Sequence, residues 1–240
     1  MNEISVGPTQ VRTISNFVEA GRCREWVGKA WGEPAKWKKR FDYIHSYGSA
    51  WYLELEYGML HAYHADAANT NALLAGLDGL VPALASSARF LEAPDGSTGH
   101  PARARRQNLG EYWADAGVVL MTRGKEGYIH ADFEGLSPYP PMLFEEKTRA
   151  YSAVLMLSRP ASGGHLTVWT RRFLGNERMA LDGVPTAVAE YDVGTLAVFD
   201  SFCYHQIQAA QLSEEFPHRA VAAMHFLYLD RPFPHWEYWY

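Results

Sequence analysis

Four residues of this chain have types and spacings that could do chemistry together: His130, Asp132, His205 and Arg219. His130 and Asp132 stand in Gly127-Tyr-Ile-His-Ala-Asp-Phe-Glu-Gly135. Side chains alternate along a β-strand, so an imidazole and a carboxylate two residues apart share a face, and Tyr128 shares it too. His205 ends Val198-Phe-Asp-Ser-Phe-Cys-Tyr-His205, where the same parity groups it with Cys203 and Ile207. Two imidazoles and one carboxylate make a three-ligand set for one face of a metal, leaving the opposite face open. Closing that site requires only that the two strands lie near each other. An H-x-D triplet by itself equally marks a surface or core histidine beside a turn aspartate. What strengthens it is a second histidine in another β-run and an arginine opening the next one. A guanidinium binds a carboxylate through two parallel hydrogen bonds and stays charged when buried. The small alternate neighbours Val221 and Ala223 leave room beside Arg219, which taken alone reads as an edge-strand arginine in an ion pair.

These residues need a β scaffold, and the texture from about Ala116 onward supplies one. Short β-runs cover Gly117 to Thr122, Gly127 to Phe133, Ala150 to Leu157, His165 to Arg171, Ala187 to Tyr191, Thr195 to Phe199, Tyr204 to Ala209 and Arg219 to Leu229. Pro, Gly and Asp punctuate them at Pro138 to Pro141, Pro160 to Gly164, Asp182 to Pro185 and Ser213 to Pro217. Many short strands between turn signals suggest a jelly roll or barrel rather than a βαβ sheet. The first ~110 residues read as mainly helical by their apolar spacing. Thr13 or Ser15 would cap a helix through about Trp31, ended by Gly32-Glu-Pro34, and a second helix would run from about Asn71 to Phe90. Gly76, Gly79 and Pro82 are breakers that could divide the second helix. Trp51 to Tyr57 alternates like a strand, and Ala93 to Arg106 reads as an exposed basic loop. The expected architecture is α+β in one domain over 1–240: 1–115 mainly helical support and lid, 116–229 a β-barrel core, and 230–240 an aromatic C-terminal tail.

Composition narrows the function classes. The chain has 240 residues, 48% of them apolar, enough for a sizeable core. A net charge of -5 with 20% charged residues gives no sign of a nucleic-acid or membrane-surface partner. Cys23 and Cys203 form no disulfide framework or metal-ligand spacing, which fits a reducing cytoplasm. No signal peptide is read at the N-terminus, and no apolar run approaches the ~18 residues of a membrane span.

The order His130-x-Asp132, His205, Arg219 resembles the signature of the Fe(II)/2-oxoglutarate-dependent oxygenases. The approach Met121 to Asp132 is similar to the segment before the first ligand in that family, and Leu155 to Ser158 with Gly163 to Trp169 resembles its paired strands between ligands. The resemblance covers about residues 116–229. It implies a double-stranded β-helix (a jelly-roll or cupin-like barrel), with Fe(II) held by His130, Asp132 and His205 and 2-oxoglutarate by Arg219. It implies oxidation of a substrate by O2, most simply hydroxylation, coupled to conversion of 2-oxoglutarate to succinate and CO2. Ser152, Thr167 and Tyr151 are candidates for a second group holding 2-oxoglutarate. The spacing from His205 to Arg219 is a few residues longer than the common pattern, consistent with an inserted turn at Ser213 to Pro217. Related aliphatic halogenases carry Gly or Ala in place of the aspartate, so Asp132 favours hydroxylation, desaturation or ring closure over halogenation. The expected substrate is a small molecule such as a free amino acid or a natural-product intermediate. The rival is a cupin-like binding protein or isomerase that does not use 2-oxoglutarate and has no need of Arg219.

Other residues remain open between two roles. His225 shares parity with Arg219 and could line the pocket or sit in the core. His61, His64 and Asp66 offer metal-ligand types without a supporting cluster. Trp169 and Arg171 could contact substrate or pack. Asn71, Tyr63 and Trp51 could belong to a lid. The aromatic run Arg231 to Tyr240 would dock back onto the fold or make a homodimer contact.

Overall fold

The computed structural model describes residues 5–50, 54, 59–105, 113–132, 146–174, 180–190, 192–215 and 217–240. Its elements run β1 (Val11–Ile14), α1 (Ala20–Trp31), β2 (Trp37–Lys39), β3 (Ile44–Tyr47), α2 (Leu60–Ala75) and α3 (Leu80–Ala85). There follow β4 (Ala102–Ala104), β5 (Gly117–Met121), β6 (Ala150–Ser158), β7 (Ser162–Gly163), β8 (Leu166–Arg172) and β9 (Thr186–Ala189). The chain closes with β10 (Leu196–Asp200), β11 (Cys203–Ile207), β12 (Ala210–Gln211), β13 (Arg219–Leu229) and β14 (His235–Trp239).

Nine strands form the larger sheet, in the order β1-β10-β6-β13-β5-β3-β2, with β14 beside β13 and β4 beyond β14. The smaller sheet is β11-β8-β9, and His130 adds an antiparallel bridge to His205 at its β11 edge. The short strands β7 and β12, distant in sequence, pair antiparallel as a separate two-stranded sheet, and none of the three sheets closes on itself. The central strands β6, β10 and β13 read as nearly continuous apolar runs because both faces are covered. Alternation then divides their side chains. Tyr151, Ala153, Leu155, Ala220, Ala222, Met224 and Phe226 join a core with α1 and α3. On the other face, Ala197 and Phe199 of β10 pack with Leu166 and Val168 of the smaller sheet. The two sheets therefore share an interior, and the chain passes between them: β5 large, His130 small, β6 large, β8 and β9 small, β10 large, β11 small, β13 large.

The helices are short pieces set by local chemistry. Cys23, Trp26 and Ala30 of α1 are buried at helical spacing, and Gly32 caps its end. In α2, Tyr63, Ala67, Thr70 and Leu74 form the buried stripe and Gly76 stops it. Gly79 holds φ 80, left-handed backbone that favours glycine, and opens α3. Gly48 has φ 93, and a Cβ there would meet the Thr70 hydroxyl at 2.7 Å. That hydroxyl accepts the N–H groups of Ser49 and Ala50 at 3.1 and 3.0 Å, tying α2 to the loop after β3.

The first half departs from the helical expectation. β1, β2, β3 and β4 are all strands of the larger sheet. Thr13 and Ile14 belong to β1, and α1 begins at Ala20 behind Glu19, so neither Thr13 nor Ser15 caps it. The second helix starts at Leu60 rather than near Asn71 and breaks at Gly76 to Gly79. Of the alternating stretch Trp51 to Tyr57 only Glu54 is among the described residues, and it is helical. The stretch from Ala93 to Arg105 is not simply an exposed loop: β4 pairs in parallel with β14, and Arg105 is 4% exposed. Arg105 lies 3.6 Å over the Trp113 ring, a cation–π contact sealed from water. The aromatic tail is likewise a strand, with Trp236, Trp239 and Tyr240 buried. Among the described residues no helix is long and apolar enough to cross a membrane.

Candidate metal centre

His130 and Asp132 reach the site differently from a continuous strand. His130 makes the last ladder contact, with its N–H on His205 O at 3.1 Å and the His205 N–H on His130 O at 2.8 Å. The ladder ends there, and Asp132, outside the strand, brings its carboxylate to both imidazoles. His205 enters from β11, where a register shift between Cys203 and His205 adjusts its aim. Asp132 Oδ1 stands 3.6 Å from His130 Nε2 and 3.6 Å from His205 Nε2. All three donor atoms lie within 4.8 Å of one another, the one such group of His, Cys, Asp and Glu found among the described residues.

The ring orientations decide what these atoms can do. His130 Nδ1 lies 3.0 Å from Tyr128 O, and His205 Nδ1 lies 3.3 Å from Cys203 O. Each carbonyl requires the proton on Nδ1, so a neutral ring carries its Nε2 lone pair inward. At 3.6 Å neither Nε2 is hydrogen-bonded to Asp132. Two lone pairs and a carboxylate oxygen converge on one point, an arrangement that repels itself and favours a cation between them. For donors about 2.1 Å from a metal and at right angles, the separation is about 3.0 Å, within a small side-chain adjustment of the observed spacing. Burial pushes the His205 pKa down to about 4, with Asp132 pulling the other way, so this ring is neutral at ordinary pH. Burial opposes the charge on Asp132, yet His205, His225, His130 and the Ser152 hydroxyl together hold its pKa at about 2. The carboxylate is ionised, as a metal ligand must be.

Arg219 opens β13, pairs with Met121 of β5, and is 1% exposed. Alternation puts it on the same face of β13 as Ala223 and His225, turned away from the helical core. Its Nε donates to Gly164 O at 3.0 Å. Gly164 has φ 69, and a Cβ there would meet Arg219 Cδ at 3.2 Å, so glycine lets the loop close over the guanidinium.

No family model matches the chain, and no curated protein matches it. Solved structures do. A "Novel N-Substituted L-Amino Acid Dioxygenase in complex with alpha-KG" from Burkholderia ambifaria is 11% identical, with a TM-score of 0.56 over 96% of this chain and 86% of that one. The "non-heme alpha ketoglutarate dependent epimerase SnoN from nogalamycin biosynthesis" is 12% identical, with a TM-score of 0.53 over 90% of this chain and 79% of that one. The fold is that of the 2-oxoglutarate-dependent oxygenases.

Within that oxygenase fold the remaining candidates take distinct places. Ser152 is fully buried on β6 and donates to Asp132 Oδ2 at 2.6 Å, so its hydroxyl serves the carboxylate. Thr167 is a correction. Leu166 and Val168 point into the interior, so Thr167 and Trp169 between and beyond them face the opposite side of the smaller sheet. Tyr151 is another, because its ring lies in the helical core and its hydroxyl donates to Glu92 O at 3.3 Å. Arg171 is exposed over the Phe173 ring. Tyr128 does not join the site: it is 65% exposed and packs on Phe41. Tyr63 and Asn71 are ties rather than lid residues. Asn71 Nδ2 donates to Trp113 O at 2.7 Å, and the Tyr63 hydroxyl donates to Tyr240 O and accepts from Ala114 N. Trp51 lies outside the described residues. His61 is exposed and His64 buried, and they belong to no metal-ligating group among the described residues.

Two further groups, His225 and Ser201, the second not singled out by its sequence position, surround Asp132 and Ser152. His225 turns Nδ1 toward it, 3.2 Å from Ser152 Oγ and 3.7 Å from Asp132 Oδ2, while its ring stacks on Tyr240. Ser201 Oγ lies 2.8 Å from Ser152 Oγ. The Ser152–His225 pairing depends on the β6–β13 register, which local sequence does not reveal.

Proposed function

We propose that this protein is an Fe(II)/2-oxoglutarate-dependent oxygenase that hydroxylates a small molecule such as a free amino acid or a natural-product intermediate. The observation that carries the reading is the convergence of His130 Nε2, His205 Nε2 and Asp132 Oδ1 with both imidazoles fixed through Nδ1. In this reading those three atoms hold Fe(II), and Arg219 holds the distal carboxylate of 2-oxoglutarate. When bound, the iron supplies oxygen activation, coupling oxidation of the substrate to conversion of 2-oxoglutarate to succinate and CO2.

The chain's own residues do the rest. The Tyr128 and Cys203 carbonyls keep both imidazoles oriented and raise their basicity as ligands. The Gly164 carbonyl orients Arg219, whose planar fork suits a carboxylate. Neutral His205 and ionised Asp132 are in the protonation states that ligation needs without a prior proton transfer. The alternation of β5, His130, β6, β8, β9, β10, β11 and β13 between two facing sheets supports a double-stranded β-helix. The two buried free thiols, Cys23 and Cys203, are compatible with a reducing, cytoplasmic setting. The dioxygenase and epimerase with this fold act on small molecules by their names, which supports that substrate class.

The test is a panel of free and N-substituted amino acids scored for stimulated succinate release with Fe(II), ascorbate and 2-oxoglutarate, followed by product mass in the presence of chloride. The expected result is a substrate whose product gains one oxygen. Mainly chlorinated product would remove the role given to Asp132, and His130→Ala with full activity would show that the metal site is misplaced.

A further inference from the structure

The two oxygens of Asp132 have different surroundings. Oδ1 faces the two Nε2 atoms, while Oδ2 accepts a 2.6 Å hydrogen bond from Ser152 on the opposite side. A serine has one proton to give. With that proton on Asp132, Ser152 Oγ becomes the acceptor for its other two neighbours, Ser201 Oγ at 2.8 Å and His225 Nδ1 at 3.2 Å. His225 Nδ1 lies 3.7 Å from Oδ2, too far for a hydrogen bond, so it acts on the carboxylate through Ser152. Its ring is fixed by stacking on Tyr240 at 5.9 Å and 11°. Ser152 and His225 are cross-strand partners on β6 and β13, so two central strands set this geometry. A charge-assisted hydrogen bond of this length is among the stronger ones, and it is sheltered by burial.

From this we propose that Ser152 and His225 are positioning residues that keep Asp132 a one-oxygen ligand, holding Oδ2 off the metal so that three coordination positions stay open. The inference rests on the metal-site reading above and goes beyond it. A carboxylate with both oxygens on the metal would occupy a fourth position, leaving two for the co-substrate and oxygen, which together need three. Ser201 is the third member of the network, and it supports Ser152 from β10's following turn. Without Ser152, Oδ2 would be a buried carboxylate oxygen stripped of its donor, and the nearest positive charge would be the metal.

The experiment uses Mn(II) alone as the probe, bound to the full chain. Two quantities are read: the dissociation constant, and the water-proton relaxation enhancement per bound ion, which counts metal-bound waters. With three protein ligands the wild-type site keeps about three waters, so Ser152→Ala should lower the enhancement to about two thirds by admitting Oδ2. His225→Phe, which keeps a ring against Tyr240, should shift it the same way. His225→Asn, which keeps an N–H donor near the Nδ1 position, should restore it. A merely structural role would change affinity or folding without this pattern. The proposal is overturned if Ser152→Ala retains the wild-type water count, or if His225→Phe and His225→Asn behave alike. Absence of Mn(II) uptake by the wild type would sink the metal-site reading itself, an outcome distinct from either.

Discussion

Gly117→Ala joins the fold to the site at one carbon. Gly117 begins β5 opposite Ala223 of β13, and a Cβ there would fall 2.0 Å from Tyr240 Cζ and 2.1 Å from Cε1. Ordinary carbon contacts lie at about 3.5–4.0 Å, so the ring must retreat by roughly 1.5 Å. Tyr240 is 3% exposed and its ring stacks on His225, so it has little free space to enter. Overpacking of this kind costs about 1–3 kcal/mol when the core can shift. Full ejection of the ring would forfeit about 4–5 kcal/mol, from ~150–200 Å² of apolar area at ~25 cal/mol per Å². The cheaper route sets the outcome, so the expected loss is about 1–3 kcal/mol, or a fall in Tm of roughly 2–12 °C for a chain of this size. The assay is urea unfolding of a double-mutant cycle with Tyr240→Ala. In the Tyr240→Ala background the added methyl meets no ring, and the penalty should vanish or reverse by about 0.5 kcal/mol, because alanine suits a strand better than glycine. A Gly117→Ala cost below about 0.5 kcal/mol in the intact chain, or an equal cost in both backgrounds, would refute the steric argument.

Three further outcomes follow from the same geometry. Arg219→Ala should raise the Michaelis constant for 2-oxoglutarate by about 30- to 150-fold, the loss of ~2–3 kcal/mol of charged hydrogen bonding, as read by succinate formation. Thr167→Val should leave that constant within about twofold of wild type, because its side chain faces away from the shared interior. Arg172→Met should cost about 3–5 kcal/mol in urea unfolding at about pH 7, since Arg172 Nε lies 2.9 Å from the buried Asp200 carboxylate. Burial already raises the Asp200 pKa, with Arg172 opposing it. The folded variant therefore holds an extra proton relative to the unfolded chain just above the ordinary carboxylate range, and the cost should shrink as pH falls toward that range.

The second half of the chain was legible because Pro, Gly and Asp mark the ends of its runs. The sequence-read run Ala150 to Leu157 and the strand Ala150–Ser158 differ by one residue, and Arg219 to Leu229 coincides with β13. The first half was not, because β2, β3 and β4 are three or four residues long, and β3 and β4 owe their place in the sheet to partners far along the chain, β5 and β14, while β2 is added at the edge by pairing with β3. The same is true of β1, whose Thr13 pairs with Ala197. At the site, strand parity brought His130 and Asp132 together correctly in outcome but by a different route, since the ladder ends at His130 and Asp132 lies outside the strand. Thr167 failed the same parity test once the inward face of β8 was known from Leu166 and Val168. Ser152 sits in an apolar run with no local sign that its hydroxyl faces a carboxylate; that role is set by the approach of Asp132 to β6, and its His225 neighbour by the pairing of β6 with β13.

In the proposed function His130, Asp132 and His205 hold Fe(II) while 2-oxoglutarate binds beside them through Arg219. The most direct test is anaerobic titration of the protein with Fe(II) and then 2-oxoglutarate, following the weak visible metal-to-ligand charge-transfer band. The expected result is a band that saturates at one equivalent of each, is lost in Asp132→Ala, and needs far more 2-oxoglutarate in Arg219→Ala. A protein that takes up no iron, or binds iron but gives no band with 2-oxoglutarate, would contradict the proposed function.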